Sequence, residues 1–252
     1  MKAFLLAAGC GTRLKPLTDR LPKCLVEIGG KPLLLRWLQE LAAAGVTDVL
    51  VNTHHLADEV ETFLAQHTVV GLNVRTFHEP ELLGSAGTVT ANADFVKGEQ
   101  AFLVIYADNY TDIDISDLLE YHTAKNSEFT MGLFRSPTPR ECGIAVLDDD
   151  DRVVDFVEKP SSPESPWANA GIYVADTASL LARIPQTKPC DFGYDVLPLY
   201  MGEAYGYRIE GVFCDIGTPE RLAAARRLAE RHFGVRRLDA TFENSDNGEA
   251  VC

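Results

Sequence analysis

Short apolar runs alternate with amphipathic stretches through the first half of the chain. Lys2 to Ala7 is apolar and closes on Gly9-Cys10-Gly11, the pattern of a buried strand entering a glycine loop. Pro32 opens a helix through LLLRWLQELAAAG, and Gly45 ends it before a second strand, DVLVNTH. Ala57 to Gln66 predicts another helix, LNVRTFH another strand, and a further helix follows Gly84. AFLVIYAD reads as a buried strand ending at Asp108. Through about residue 125 this alternation predicts a mostly parallel sheet covered by helices on both faces.

From about Ser127 the rhythm changes. FTMGLFR, GIAVLD, RVVDFVEK and ANAGIYVAD read as strands joined by turns, and the Pro/Ser connection Ser161 to Trp167 is too short to mark an independent domain. A final helix, PERLAAARRLAERH, follows Asp215-Ile216-Gly217-Thr218, and TFENSDNGEAVC reads as a polar, frayed tail. The expected organisation is one domain over 1–235, with a core at 1–125, a β-rich part at 126–215, a helix at 216–235 and a flexible tail at 236–252.

Composition narrows the function classes. With 252 residues, 46% hydrophobic and 24% charged, the chain has material for a sizeable core. Its 37 acidic and 23 basic residues give a net charge of −14, which argues against binding to nucleic acid backbones. Such a surface repels phosphates at long range, so a phosphorylated ligand needs a local cluster of Lys, Arg, backbone N–H groups or metal ions. The six cysteines form no CxxC pair and no structural-zinc spacing, and His54 and His55 read as turn or cap residues. The first apolar run is too short for a membrane span or a secretory signal, so a cytoplasmic location and no membrane association are expected.

The opening loop, LAAGCGTRLKPLTDRLPK, is where the pattern becomes chemical. Gly9 and Gly11 allow close backbone approach to a phosphate, and Arg13 and Lys23 bring charge to the same loop. A Walker A loop needs GxxxxGK[ST], and the dinucleotide fingerprint needs a third glycine where this chain has Leu14. Kinase and dehydrogenase readings therefore lack support.

Gly9-Cys10-Gly11-Thr12-Arg13-Leu14-Lys15-Pro16-Leu17-Thr18, followed by Pro22-Lys23, resembles the opening signature of the sugar-1-phosphate nucleotidyltransferases, or nucleotide-sugar pyrophosphorylases. The likeness runs from residue 1 to about 232, through ADN at 107–109, VEKP at 157–160, NAGIY at 169–173 and DIGTPE at 215–220, in family order. It implies an α/β fold, a Rossmann-like, mostly parallel central sheet flanked by helices with a β-rich sugar-binding excursion. It also implies a reaction: a sugar 1-phosphate oxygen attacks the α-phosphorus of an NTP, giving an NDP-sugar and pyrophosphate.

The resemblance assigns residues. Leu6, Ala8, Gly9, Cys10, Gly11 and Thr12 would form the nucleotide site with Arg13, Lys23, Gly84 and Asp108. Backbone amides around Gly9 to Thr12 would cradle the triphosphate, and Arg13 would offset charge on the departing pyrophosphate. Asp108 and Asp215 match the family's Mg²⁺-binding positions. Lys159 matches the lysine that binds the sugar-linked phosphate. Asn109, Gly143, Glu158, Asn169, Ala170 and Gly171 would line the sugar pocket together with Asp215.

On the base side, FHEPELLGSAG resembles the EPLGTAG-type segment of guanylyltransferases acting on mannose or heptose 1-phosphates, and Glu79 or Glu81 would accept from guanine N1–H and its amino group. GTP with a mannose- or heptose-type 1-phosphate is the favoured pair. Thymidylyl-, uridylyl- or cytidylyltransferase chemistry, or a catalytically silent nucleotide-sugar-binding regulator, are the alternatives; intact Arg13, Lys23, Asp108, Lys159 and Asp215 argue against the last. The short stretch after the final helix leaves no room for an appended catalytic module, so one activity is expected, and homo-oligomers are common in this family.

Overall fold

The structure, a computed structural model, describes residues 1–243, with side chains through Arg231. β1 (Lys2–Leu6) sends Phe4 to one face of the sheet and Ala3 and Leu5 to the other. In the loop after it, β2 (Glu27–Ile28) and β3 (Lys31–Pro32) form a small hairpin turned at Gly29 and Gly30. α1 (Leu33–Ala43) buries Leu33, Leu34, Trp37, Leu38 and Leu41, one stripe at helical spacing. β4 (Asp48–Thr53), α2 (Ala57–Gln66), β5 (Asn73–His78), α3 (Ser85–Ala91) and β6 (Ala101–Tyr106) follow in the expected places. In the sheet, β5, β4, β1 and β6 lie side by side and all parallel.

After β6 come β7 (Asn109–Thr111) and α4 (Ile115–Ala124), which starts where the Asp114 side chain accepts from the amides of Ser116 and Asp117 at 2.8 and 3.3 Å. β8 (Phe129–Arg135), β9 (Gly143–Leu147), β10 (Val153–Glu158) and β11 (Trp167–Asp176) form the β-rich part. α5 (Thr177–Arg183), β12 (Tyr205–Ile209), β13 (Phe213–Asp215) and α6 (Pro219–Glu243) complete the described chain. β11 runs antiparallel to β6, so the second half extends the same nine-stranded sheet rather than forming a separate layer. The sheet is mixed, with its parallel half at β5-β4-β1-β6 and its antiparallel half around β11.

Helices and loops on the two faces bury two apolar layers, one around Phe4, Phe102, Phe129 and Tyr173 and the other around Leu5, Leu38, Val51 and Ile105. A third cluster, Leu14, Val26, Ile28, Tyr110, Ile216, Leu222 and Ala225, joins the opening loop to the first turns of α6. This packing anchors the glycine loop and Asp215 to one another. α6 continues to Glu243, past the expected boundary at 235; the run AAARRLAERH is rich in strong helix formers, and an established helix propagates at little cost per residue. Residues 244–252 of the expected tail lie outside the described residues. No helix among the described residues is long and apolar enough to cross a membrane.

Candidate active site

Parallel strands leave a crevice at their carboxyl ends, where neighbouring strands send their connections to opposite faces. Here that crevice lies beyond Leu6, Thr53 and Tyr106, the last residues of β1, β4 and β6. Two basins open from it, of about 220 and 370 Å³. Both are lined by Lys23, Tyr106, Asp108 and Asp191, so they meet along those four side chains.

The first basin is the more apolar. Leu6, Ala7, Ala8 and Gly9 form one wall, and Glu79, Leu82, Gly84 and Ser85 the opposite one. Cys10, Gly11 and Thr12 continue the loop beyond this lining. Gly11 is left-handed at φ 61°, which bends the loop so that its carbonyl accepts from Leu14 N at 2.9 Å and Thr18 Oγ1 at 2.8 Å. Gly84 also has a positive φ, 80°, and a Cβ there would strike the Cys190 carbonyl. That carbonyl instead accepts the amides of Ala86 and Gly87, both at 3.0 Å.

Glu79 lies in this basin and Glu81 does not. The Glu79 side chain is buried: Oε1 accepts from Asn52 Nδ2 at 2.9 Å and Thr88 Oγ1 at 2.5 Å, and Oε2 from Leu83 N at 3.0 Å. Glu81 is exposed. Of the two glutamates expected at the base, only Glu79 therefore faces the nucleoside-sized basin, and most of its acceptor capacity is already engaged.

The second basin is more polar. Arg13, Asn109, Glu141, Cys142, Gly143, Glu158, Asn169, Ala170, Gly171, Gly193, Asp215 and Arg221 contribute to it, along with Phe134 and Phe213, whose rings stack at 4.1 Å. A bulge shapes the Asn169 to Gly171 stretch: Asn169 is opposite Leu133 while Tyr173 is opposite Met131, so β11 carries extra residues there. Gly171 takes φ 65° within the bulge, against the Tyr106 ring. Asn169 holds the turn by accepting from Gly171 N at 2.9 Å and donating to Tyr173 OH at 2.7 Å.

Asp108 and Asp215, separated by about a hundred residues, meet because β7 begins at Asn109 and pairs antiparallel with β13, placing Asn109 opposite Asp215. Trp37 Nε1 donates to the Asn109 carbonyl at 3.0 Å, and Asn109 Nδ2 donates to the Ala170 carbonyl at 2.7 Å, which pins the pair to both halves of the sheet. Lys23 projects between the two carboxylates from a short turn after Pro22. Its ammonium donates to Asp108 Oδ2 in a short ion pair and to Asp215 Oδ1 at 3.3 Å. Burial works to lower the Lys23 pKa, but Asp108 and Asp215 outweigh it and hold the ammonium above its usual value. Burial likewise pushes the Asp215 carboxyl up, and Lys23 with Arg221 prevails, holding it below the usual carboxylate range.

Arg221, in the first turn of α6, was not legible as a site residue. Its Nη1 lies 2.8 Å from Asp215 Oδ2 and its Nη2 2.7 Å from Glu141 Oε2. The signs therefore alternate across the cleft through Glu141, Arg221, Asp215, Lys23 and Asp108. Arg13 also reaches this region, its Nη2 being 3.1 Å from where a Cβ on Gly217 would sit. Asp191 was missed too; it accepts from Ser85 Oγ at 2.9 Å and Gly193 N at 2.9 Å and so closes both basins.

Lys159 departs from the expected cluster. It follows β10 with φ 51°, its amide donates to the Cys142 carbonyl at 3.0 Å, and its side chain is exposed and outside the basin lining. Its charge still acts on Glu158, whose carboxyl is pushed up by burial against the pull of Lys159.

No group of three or more His, Cys, Asp or Glu placed to hold a metal occurs among the described residues. Asp108 and Asp215 nonetheless present hard carboxylate oxygens toward one point, where the Lys23 ammonium already sits as a cation. Two carboxylates suit a cation that takes its other ligands from phosphate and water. The Cys24 thiol beside this point is pushed up to about 12 by burial and is no nucleophile.

A sequence profile of the nucleotidyl transferase family matches residues 2–232. The mannose-1-phosphate guanylyltransferase catalytic subunit beta of Danio rerio is 34% identical over 225 residues, covering 87% of this chain and 62% of its own length. The mannose-1-phosphate guanylyltransferase of Mycobacterium tuberculosis is 32% identical over 222 residues, covering 86% of this chain and 61% of the relative. The chain thus spans about 62% of the length of the curated relatives it matches. Among solved structures, a putative glucose-1-phosphate thymidylyltransferase from Bacillus anthracis superposes with a TM-score of 0.82 at 27% identity, over 91% of this chain and 95% of that one. HddC from Yersinia pseudotuberculosis, complexed with GMP-PN, gives 0.75 at 26% identity, over 90% and 98%.

Proposed function

The chain belongs to the nucleotidyl transferase family, and on that premise we propose that it transfers a nucleotidyl group from an NTP to a sugar 1-phosphate, with GTP and a mannose- or heptose-type 1-phosphate as its preferred pair. An oxygen of the sugar phosphate bonds to the α-phosphorus of the NTP, the bond from that phosphorus to the bridging oxygen breaks, and pyrophosphate leaves. The attacking oxygen is already anionic, so no protein general base is needed. The observation that carries this reading is the Lys23 clamp between Asp108 and Asp215 at the junction of an apolar and a polar basin.

In this reading the apolar basin takes the nucleoside and the polar basin the sugar. The loop from Ala8 to Thr12 lies along the phosphates. Lys23, kept protonated, binds oxygen at the reacting phosphate, and Arg13 offsets charge on the pyrophosphate side. Asp108 and Asp215 would hold Mg²⁺, which when bound supplies charge compensation between the two anionic substrates. Asn109, Gly143, Glu158, Asn169 and Gly171 meet the sugar, and the Lys159 side chain, exposed beside Glu158, would have to turn inward from outside the lining to meet the acceptor phosphate.

Guanine is supported by the guanylyltransferase relatives, by the GMP-PN complex of HddC, and by Glu79, whose remaining acceptor capacity suits a base that offers an N–H. Cytosine and adenine present a bare ring nitrogen at the corresponding edge and are disfavoured. A cytoplasmic location belongs to the same reading and fits the free thiols of the described cysteines. The test is turnover of GTP, UTP, dTTP, CTP and ATP against a panel of sugar 1-phosphates, with pyrophosphate measured. GTP with a mannose- or heptose-type 1-phosphate is expected to give the highest kcat/KM. Specific nucleotide-sugar binding with no turnover of any pair would instead identify a regulatory protein.

A further inference from the structure

One buried polar side chain at the crevice has no part in the roles assigned above. Asn52, the penultimate residue of β4, is 4% exposed and lies on the wall of the apolar basin. It sits directly beside Leu6 in the parallel ladder, and Ala7 is the first residue beyond β1. Asn52 Oδ1 accepts the Ala7 amide at 2.6 Å, so the side chain takes over from the ladder where the glycine loop departs.

The other end of the amide faces the base side. Asn52 Nδ2 donates to Glu79 Oε1 at 2.9 Å and to Thr88 Oγ1 at 3.1 Å. Thr88 Oγ1 donates in turn to Glu79 Oε1 at 2.5 Å. Glu79 is tied on through its backbone as well: its amide donates to the Thr53 carbonyl at 2.8 Å, and its carbonyl accepts from His54 Nδ1 at 2.7 Å. The start of the glycine loop, the end of β5 and the first turn of α3 thus converge on one carboxamide.

Donor and acceptor roles leave one arrangement. A carboxylate only accepts, so Glu79 requires donors from both Asn52 and Thr88, and the Thr88 oxygen then accepts from Asn52. The carboxamide must present its oxygen to Ala7 and its nitrogen to Glu79. Aspartate at 52 lacks the donor, and an apolar residue leaves the Ala7 amide and Glu79 short of partners in a buried place, where unmade hydrogen bonds are most costly.

We infer that Asn52 is a positioning residue that holds the triphosphate-binding loop at a fixed distance from the base-binding wall, so that binding the base aligns the phosphates. This rests on the nucleotidyltransferase reading for its kinetic consequence, though the coupling itself is a property of the free protein.

The test compares N52A, N52L, N52D and the double variant N52D/E79Q. The double variant reverses the two shared hydrogen bonds: the glutamine nitrogen becomes the donor, Thr88 donates to the aspartate, and the Ala7 amide keeps its acceptor. Hydrogen exchange of the segment 7–12 in the free protein is expected to quicken about tenfold or more in each single variant and to return to within about threefold of the parent in the double variant. In turnover assays N52A is expected to raise KM for every NTP about tenfold, with the order of base preference unchanged and KM for the sugar 1-phosphate within about twofold.

A merely structural role would lower the melting temperature and the active fraction without separating the two KM values. Unchanged exchange in the single variants, no recovery in the double variant, or equal rises in both KM values would each overturn the inference. If N52A does not fold, N52D and N52D/E79Q carry the same comparison. If the parent turns over no substrate pair, the functional reading fails while the exchange measurement still decides the coupling.

Discussion

Lys23 is a lysine held in place by the groups that it would share with a metal. Removing it leaves Asp108, about one-third exposed, without its ammonium partner and Asp215 with Arg221 as its remaining cation. K23M is therefore expected to lower kcat about 100-fold or more. It should also melt at a lower temperature without divalent ions and gain more from added Mg²⁺ than the parent does, because the ion takes the place of the lost ammonium. Equal Mg²⁺-dependent gains in melting temperature for the two proteins would contradict a shared cation position.

Glu158 gives a pH signature away from those carboxylates. Burial and Asp191 raise its carboxyl above the ordinary value, against Lys159. The folded protein then binds this proton more tightly than the unfolded chain, whose value is about 4.3. Stability from this group is greatest below the unfolded value and declines as pH rises through the folded one. E158Q is expected to flatten that decline in melting temperature measured across weakly acidic buffers; parallel curves for variant and parent would count against it.

Single residues were legible in proportion to how much of their task lies in local sequence. Gly9, Gly11, Lys23 and Asp108 stand in or at the end of motifs. Asn52 and Arg221 do not, because their partners, Ala7 and Glu79 for one, Asp215 and Glu141 for the other, are brought together only by the fold. The only local signal for Asn52 was a polar residue next to the apolar run Val49–Val51 near the end of a strand. Lys159 illustrates the converse, a motif lysine whose side chain lies exposed outside the basin lining.

At the scale of elements, short apolar runs and helical patterns located the longer strands and helices of the first half closely. β7 and β13 were not legible: at three residues each they carry too little pattern to distinguish from loop, although their pairing is what joins Asp108 to Asp215. The bulge in β11 was equally hidden, since extra residues in a strand appear only against its partner. Gly171 is its pivot. A Cβ there would stand 2.8 Å from the Tyr106 ring in a backbone conformation that L residues rarely adopt. G171A is expected to cost about 1–3 kcal/mol in denaturant unfolding and to raise KM for the acceptor more than for the NTP. An unperturbed midpoint would mean that the bulge relaxes freely.

For the whole molecule, the sheet supplies two unlike halves and the site lies where they join. The parallel half ends in amides and a glycine loop suited to phosphate, and the antiparallel half brings a bulged strand and polar side chains suited to a sugar. In an acidic chain of net charge −14, three of the 23 basic residues, Arg13, Lys23 and Arg221, line one basin, the local positive charge that the two phosphorylated ligands of the proposed reaction would need. α6 contributes to this through Arg221, which bridges Asp215 to the turn carrying Glu141. R221M is expected to raise KM for the sugar 1-phosphate about tenfold while leaving KM for the NTP within about twofold. A rise confined to the NTP would reverse the assignment of the two basins.

In the proposed reaction the sugar phosphate attacks the α-phosphorus of the NTP across the Lys23 clamp. Following phosphorus from a sugar 1-phosphate labelled in its phosphate, with GTP and Mg²⁺ present, tests it most directly. The expected result is label retained entirely in the NDP-sugar, unlabelled pyrophosphate formed in equal amount, and loss of both products in D108N and D215N. Label appearing in pyrophosphate or in free phosphate, or full activity in both aspartate variants, would contradict it.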